Sequence, residues 1–159
     1  MSNLPRVVIE NACYHLMARG NQKQNVFLEQ EDYREFLERL KAYKRKYDFK
    51  LYGYCLMPNH IHIIGQMETA RFLSKFMQGI TLSYTLYFND KYTKVGHLWQ
   101  GRFKNKVIVK DRYLSDCINY IECNPVRAQL VHTPYKYVWS SYRERVLGDG
   151  FKILDGLSL

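Results

Sequence analysis

Two short apolar segments separated by only three residues constrain the fold of this chain more than any other feature. Residues 50–56 and 60–66 each read as a strand, and the connector between them is MPN. Strands joined by so short a connection lie side by side and run antiparallel. The second segment, HIHIIGQ, places His60 and His62 in an otherwise apolar strand. The sequence therefore predicts an antiparallel sheet with two imidazoles on one face.

The remaining periodic segments follow the element order of a ferredoxin-like fold. Apolar residues recur at three- to four-residue spacing in the predicted helices, and turn residues bound the predicted strands. The strands are residues 14–18, 50–56, 60–66 and 103–109, and the helices are 31–47, 73–87 and a third that Asp111 caps. The order βαββαβ plus a helix predicts an α+β fold, a ferredoxin-like antiparallel sheet with helices on one face and an additional C-terminal helix. The other face is then free for a ligand.

Charge and composition indicate the kind of partner and the compartment. The chain carries 24 Lys and Arg against 15 Asp and Glu, a formal net charge of +9, so its surface attracts polyanions such as nucleic acid. No apolar run approaches the roughly 20 residues of a membrane span, and no apolar signal region is present. We expect a cytoplasmic, nucleoid-associated protein with reduced cysteines and no membrane partner. The 159 residues predict one domain, with a core at about 14–143 and a C-terminal tail at 144–159.

His60 and His62 are the first candidates for chemistry. Residues two apart on a strand point to the same side, with Cα atoms about 6.6 Å apart, while Ile61 and Ile63 face the helices. Two neutral imidazoles side by side form part of the ligand set of a divalent metal. A pair of half-exposed polar residues on an amphipathic strand is an equally ordinary interpretation, because two ligands alone do not hold a metal.

The segment DRYLSDCINYIECNPVRAQLV offers a third ligand and a reacting group. Tyr120 and Asn124 are four residues apart and share one helix face if the helix continues to the residue before Pro125. An amide oxygen can complete a hard-metal site, and a phenol one turn earlier would lie near the metal, whose positive field favours the nucleophilic oxyanion. Structural roles are also open: Tyr120 is one of 14 tyrosines, and an asparagine before proline is a common helix N-cap.

Four motifs occur in order along the chain: GYCLMPNHIHIIG, GHLWQGRFKNKVI, YIECNPVRAQLV and VWSSYR. Together they resemble the HUH single-tyrosine transposases, most closely the REP-associated tyrosine transposases, over about residues 14–143. The resemblance implies that His60 and His62 bind Mg²⁺ or Mn²⁺, that Asn124 is the third protein ligand, and that Tyr120 on the C-terminal helix is the catalytic nucleophile. The insertion-sequence branch commonly has glutamine at the position of Asn124, which favours the REP-associated branch.

The resemblance also implies a reaction and a substrate. The reaction is cleavage and rejoining of single-stranded DNA through a 5′-phosphotyrosine, with a free 3′-OH and no nucleotide cofactor. The substrate is single-stranded DNA with a hairpin near the cut, which suits a basic surface rich in aromatic residues. The candidate DNA-binding residues are Arg19 and Asn21 in the first turn, Arg102 and Lys104 on the strand after WQG, and Arg127.

Two functions from other classes remain open. The same sheet face could bind single-stranded nucleic acid without chemistry, with the histidine pair incidental. Alternatively, a metal-dependent nuclease could activate water at the histidines while Tyr120 merely packs. The sequence is compatible with a monomer or a homodimer.

Overall fold

Four antiparallel strands form one sheet in the order β2-β3-β1-β4. The computed structural model describes residues 8–157, apart from the side chains of Lys110 and Asp111. The strands are β1 (Ala12–Arg19), β2 (Phe49–Met57), β3 (His60–Met67) and β4 (Lys104–Ile108). This is the ferredoxin-like order, so the predicted α+β fold class is confirmed. The strand that carries the histidine pair lies inside the sheet, between β2 and β1.

Two long helices pack against one face of this sheet. They are α1 (Gln30–Lys46) and α2 (Leu73–Tyr92). Phe49 of β2 stacks on Phe76 of α2 with ring centroids 4.3 Å apart, which places the helices on the core side of the strands. The two helices come very close at Gly79, where a Cβ atom would lie 2.2 Å from the ring of Tyr43. This close approach accounts for a glycine inside α2 despite its low helix propensity.

The opposite face of the sheet is only partly open. The helix α3 (Lys110–Glu122) lies across it, and a Cβ atom at Gly53 of β2 would be 3.1 Å from the side chain of Ile118. Leu114, Ile118 and Ile121 are all buried. The prediction of a free face was therefore wrong for this region, because α3 buries its own apolar stripe against the sheet.

The ends of α3 differ from the prediction. The N-cap is Val109, whose carbonyl accepts a hydrogen bond from the Tyr113 N–H at 3.1 Å, so Asp111 lies within the first turn and is not the cap. At the other end, Cys123 keeps a near-helical backbone, with φ −87° and ψ −2°, and α4 (Asn124–Arg127) follows at once. Pro125 lies in the first turn of α4, where its missing N–H leaves no helical hydrogen bond unmade.

The C-terminal segment pairs with the outer edge of β2. The Ser141 N–H donates to the carbonyl of Tyr54 at 2.9 Å, and further along the Asp155 N–H donates to the carbonyl of Leu51 at 2.8 Å. The helix α5 (Tyr142–Leu147) lies between these two contacts in the chain. The end of the predicted core, through Ser141, and the predicted tail, through Asp155, thus cover an edge strand that would otherwise offer unpaired backbone groups.

The four cysteines, which all lie within the described residues, are not joined in disulfides, and burial raises the pKa of Cys55 well above its usual range. In the described part of the chain, no helix combines the length and the apolar character that crossing a bilayer requires.

Candidate active site

His60 and His62 lie on the face of β3 opposite α1 and α2. In the sheet register, His60 is opposite Arg19 of β1, and His62 is opposite Met17. The two imidazole rings meet edge to face with centroids 5.0 Å apart. His62 is 6% exposed, whereas His60, at the end of the strand, is half-buried. The strand thus fixes both rings side by side at the open end of this face.

The side chain of Asn124, the first residue of α4, reaches both rings. Its Nδ2 lies 3.0 Å from Nε2 of His62 and 3.4 Å from Nε2 of His60. The three residues that the family resemblance implied as metal ligands therefore meet at one point. Rotating the amide by half a turn would present Oδ1 there without moving the backbone.

The other ring nitrogen of each histidine has its own partner. Nδ1 of His62 lies 2.8 Å from Nε2 of His15, and Nδ1 of His60 lies 2.7 Å from Oδ1 of Asn59. An amide oxygen only accepts, so Nδ1 of His60 carries the proton, and the same tautomer of His62 lets it donate to His15. Both Nε2 lone pairs are then directed at Asn124. Metal-bound histidines are oriented in this way by hydrogen bonds from their second nitrogen.

Burial keeps these imidazoles neutral. It is the main cause that lowers the pKa of His62 to about 3, with further contributions from the charges of His15, His60, Arg127 and Arg19. Burial, and then Arg19, also lowers the pKa of His60, and burial lowers that of His15. Only a neutral imidazole has a lone pair for a metal, so the site is prepared for ligation at neutral pH.

The donor set fits a divalent cation. Imidazole nitrogen and amide oxygen both ligate divalent metals of the first transition row such as Mn²⁺. Among the side chains that the structure describes, no three from His, Cys, Asp or Glu are grouped to hold a metal ion. The amide of Asn124 would therefore have to complete the set begun by His60 and His62.

Tyr120 lies on α3, one helical turn before Asn124. Its side chain is 60% exposed, so a large substrate can approach it. The guanidinium of Arg127 lies over the ring, with its Cζ 4.0 Å from the centroid, and donates to the Tyr120 carbonyl at 2.7 Å. The near-helical backbone at Cys123 keeps these residues in helical succession. The candidate nucleophile Tyr120, the candidate ligand Asn124 and Arg127 thus follow one another along α3 and α4.

Three of the five residues predicted to bind DNA line a single groove. Arg19, Arg102 and Lys104 line it, and because Arg19 is opposite His60, the groove adjoins the metal-ligand candidates. Arg102 was wrongly placed on the fourth strand. The backbone turns at Gly101, with φ +62°, and pairing with β1 begins only at Lys104.

The other two predicted DNA-binding residues lie outside this groove. Asn21 belongs to a short 3₁₀ turn after β1, where it is half-buried and its N–H donates to the carbonyl of Leu98 at 2.8 Å. Arg127 contacts Tyr120, as described above.

Sequence reasoning left two residues of the site without a role. His15 orients His62. His15 and Met17 are two residues apart on β1 and so share a face, but only the β1–β3 register, in which Met17 is opposite His62, shows that this face carries His62. Glu122 is fully buried on α3, where Ser141 Oγ donates to it at 2.6 Å and Arg145 Nε lies 3.1 Å from both carboxylate oxygens. A buried carboxylate two residues after Tyr120 thus ties α3 to the C-terminal segment.

A ferredoxin-like sheet with a His-x-His inner strand, followed by a helix with tyrosine and asparagine, defines the class of HUH single-tyrosine transposases. The chain belongs to the IS200-like transposases within this class, because a family model described as "Transposase IS200 like" matches residues 8–124. The matched region contains His60, His62, Tyr120 and Asn124. The resemblance inferred from the sequence motifs is confirmed.

The relatives include REP-associated members. The chain is 25% identical over 158 residues to a Haemophilus influenzae protein whose name assigns it to the REP-associated tyrosine transposases, a match that covers 92% of this chain and 88% of that protein. The fold is similar to that of a REP-associated tyrosine transposase solved with a REP hairpin, with a TM-score of 0.79, 19% identity and 100% of both chains covered. It is also similar to a Deinococcus radiodurans protein assigned to the transposases, with a TM-score of 0.52, 15% identity, and 76% of this chain and 96% of that one covered.

Proposed function

We propose that this transposase cleaves and rejoins single-stranded DNA through a covalent bond to Tyr120. The observation that carries the proposal is the meeting of His60, His62 and the Asn124 amide at one point, one helical turn from an exposed tyrosine. A tyrosine that only packs against the core is expected to be buried. A histidine pair without a function is not expected to share a third polar side chain whose amide nitrogen lies within reach of both rings.

The strand-cleavage step consumes no reactant other than the DNA and the phenol of Tyr120. The phenol oxygen of Tyr120 forms a bond to phosphorus, and the bond from phosphorus to the 3′-oxygen of the neighbouring nucleotide breaks. The phenol gives up its proton and the departing 3′-oxygen gains one. The products are a 5′-phosphotyrosine and a free 3′-OH. Because the phosphodiester energy is kept in the new linkage, the 3′-OH of another strand can reverse the step and complete the transfer.

His60, His62 and Asn124 would hold the Mg²⁺ or Mn²⁺ ion that this chemistry requires. When bound, the ion would neutralise charge on the non-bridging oxygens of the scissile phosphate. The protein's own contribution is to keep both imidazoles neutral by burial and to aim their Nε2 atoms through His15 and Asn59. We expect Mn²⁺ affinity in calorimetry to be lost in a His60→Ala, His62→Ala double variant.

The proposed substrate is single-stranded DNA with a hairpin. The net charge of +9 and the groove of Arg19, Arg102 and Lys104 suit a phosphate backbone, and a structural relative was solved with a REP hairpin. Binding should be tighter to hairpin DNA with a single-stranded flank than to a blunt duplex of the same sequence at about 0.15 M salt. Equal affinity for both would contradict this substrate.

The nucleophile is tested by Tyr120→Phe, which removes one oxygen and keeps the ring. Protein is incubated with hairpin DNA and Mn²⁺ and run on a denaturing gel. We expect a protein-linked DNA band from the wild type and none from Tyr120→Phe, with DNA binding retained. Tyr113→Phe and Tyr142→Phe are the matched controls and should still give the band. Cut DNA without a linked band would indicate a nuclease that uses water, and binding without cleavage would indicate a non-catalytic module.

A further inference from the structure

Arg127 is tied to Tyr120 at two points. Its guanidinium lies over the phenol ring with Cζ 4.0 Å from the centroid, and one of its N–H groups donates to the Tyr120 backbone carbonyl at 2.7 Å. The first contact holds the ring and the second holds the guanidinium. Stacking at this distance is typical of a favourable cation–π pair.

The contact restrains a side chain that little else holds. Tyr120 is 60% exposed, so the protein core does not select its rotamer. Arg127 is itself fixed by α4, because its backbone N–H donates to the carbonyl of Cys123 at 3.1 Å. The position of the ring therefore depends on the same short helix that begins with Asn124.

The charge of Arg127 also suits the reaction. As the phenol loses its proton, negative charge spreads into the ring, and the attraction to a guanidinium over its face becomes stronger. An interaction that strengthens as the nucleophile develops charge accelerates the chemical step, whereas one of constant strength only improves binding. The same guanidinium is near enough to His62 to act on it electrostatically.

We propose that Arg127 is a positioning residue for the nucleophile: its guanidinium holds the Tyr120 ring for attack and stabilises the developing phenoxide. This inference rests on the proposed role of Tyr120. It replaces the role predicted for Arg127 from the sequence, which was contact with the DNA backbone. The two roles differ in what they change, since a backbone contact alters DNA affinity and a positioning residue alters the rate on bound DNA.

The experiment measures adduct formation in single turnover at saturating hairpin DNA, together with the DNA dissociation constant. For Arg127→Gln we expect the saturating rate to fall about 10-fold, with the dissociation constant changed less than about 3-fold. Arg127→Lys keeps the charge and should be faster than Arg127→Gln. Arg112→Gln is the matched control, because Arg112 lies near the ring of Tyr113 on the same helix, and both of its constants should match the wild type.

Adduct formation by the wild type tests the role of Tyr120, and the rates of the variants test the role of Arg127. If the wild-type protein formed no adduct, the proposed function itself would be contradicted. A wild type with an adduct and an Arg127→Gln variant of equal saturating rate would overturn the role of Arg127 alone, and so would weaker binding with an unchanged rate. Equal losses in the Gln and Lys variants would contradict the contribution of charge. Retained DNA affinity and an unchanged thermal melt show that a slow variant is still folded.

Discussion

The candidate site is built from two halves that the protein holds in different ways. The strand half consists of His15, His60 and His62 on β1 and β3, and the helix half consists of Tyr120, Asn124 and Arg127 on α3 and α4. In the strand half, backbone pairing between inner strands sets the spacing of the rings. In the helix half, α3 contacts the rest of the fold through side chains such as Ile118 and Glu122, and Tyr120 is exposed. The two histidine candidates for metal ligation thus lie on paired strands, and the tyrosine proposed to meet DNA lies where DNA can reach it.

The helix α3 joins the helix half to the sheet through its buried residues. Ile118 of α3 packs on Gly53 of β2, and buried Glu122 accepts hydrogen bonds from Ser141 and Arg145. The Asn124 amide completes the contact at the histidines. Changes to the buried strand residues should therefore affect the stability of the whole fold, whereas changes to the exposed Tyr120 should mainly affect the reaction.

Acid should give the largest effect, through the strand half. Its three imidazoles have pKa values lowered by burial, whereas in the unfolded chain they titrate near 6.5. The unfolded chain therefore binds more protons as pH falls below 6.5, and stability present above that pH is lost towards about 3. In urea denaturation with EDTA, the buried His62 alone should lower the free energy of unfolding by about 2 kcal/mol between pH 6.5 and about pH 5, and the lowered pKa values of His15 and His60 add to this loss. A His62→Asn variant should lose less stability over the same pH range. Equal stability of the wild type at both pH values would contradict the lowered pKa values of the buried imidazoles.

Gly65→Ala should destabilise the fold next most strongly. A Cβ atom at Gly65 on β3 would lie 2.2 Å from the carbonyl oxygen of Lys50 and 2.4 Å from the ring of Phe49, so backbone must move. We expect a loss of about 3 kcal/mol in the free energy of unfolding. Gly53→Ala is the matched control: its Cβ would meet the Ile118 side chain at 3.1 Å, and we expect a loss of about 1 kcal/mol. The reverse order would mean that the helix contact, and not the sheet, is the rigid part.

Glu122→Ala tests whether the buried carboxylate of Glu122 holds α3 against the C-terminal segment. The substitution leaves Arg145 and Ser141 without their carboxylate, and we expect a loss of about 2 kcal/mol in stability. Because α3 carries Tyr120, adduct formation should slow as well. Glu38→Ala, which removes an exposed carboxylate from α1, is the control. Urea denaturation that gives the same stability for both variants would show that Glu122 does not hold α3.

The sequence predicted the parts of this site that depend on local periodicity. Alternation along a strand is enough to place His60 and His62 on one face, and a four-residue spacing is enough to relate Tyr120 to Asn124. The strands themselves were predicted to within two residues, except that Arg102 lies before the fourth one.

The parts that escaped prediction depend on contacts between distant segments. His15 meets His62 only through the register of β1 on β3, and Glu122 meets Arg145 only once the C-terminal segment returns to β2. The coverage of the second sheet face by α3 likewise follows from tertiary packing. No periodic pattern within a single segment carries this information.

Mapping the protein–DNA adduct tests the central claim most directly. After reaction with hairpin DNA and Mn²⁺, the adduct is trimmed with nuclease, digested with trypsin and sequenced by mass spectrometry. Residues 113–127 form one tryptic peptide that contains both Tyr113 and Tyr120. The account predicts a 5′-linked nucleotide on this peptide, with fragment ions that place it on Tyr120. A nucleotide on Tyr113, on Tyr142 or on any other residue would contradict it.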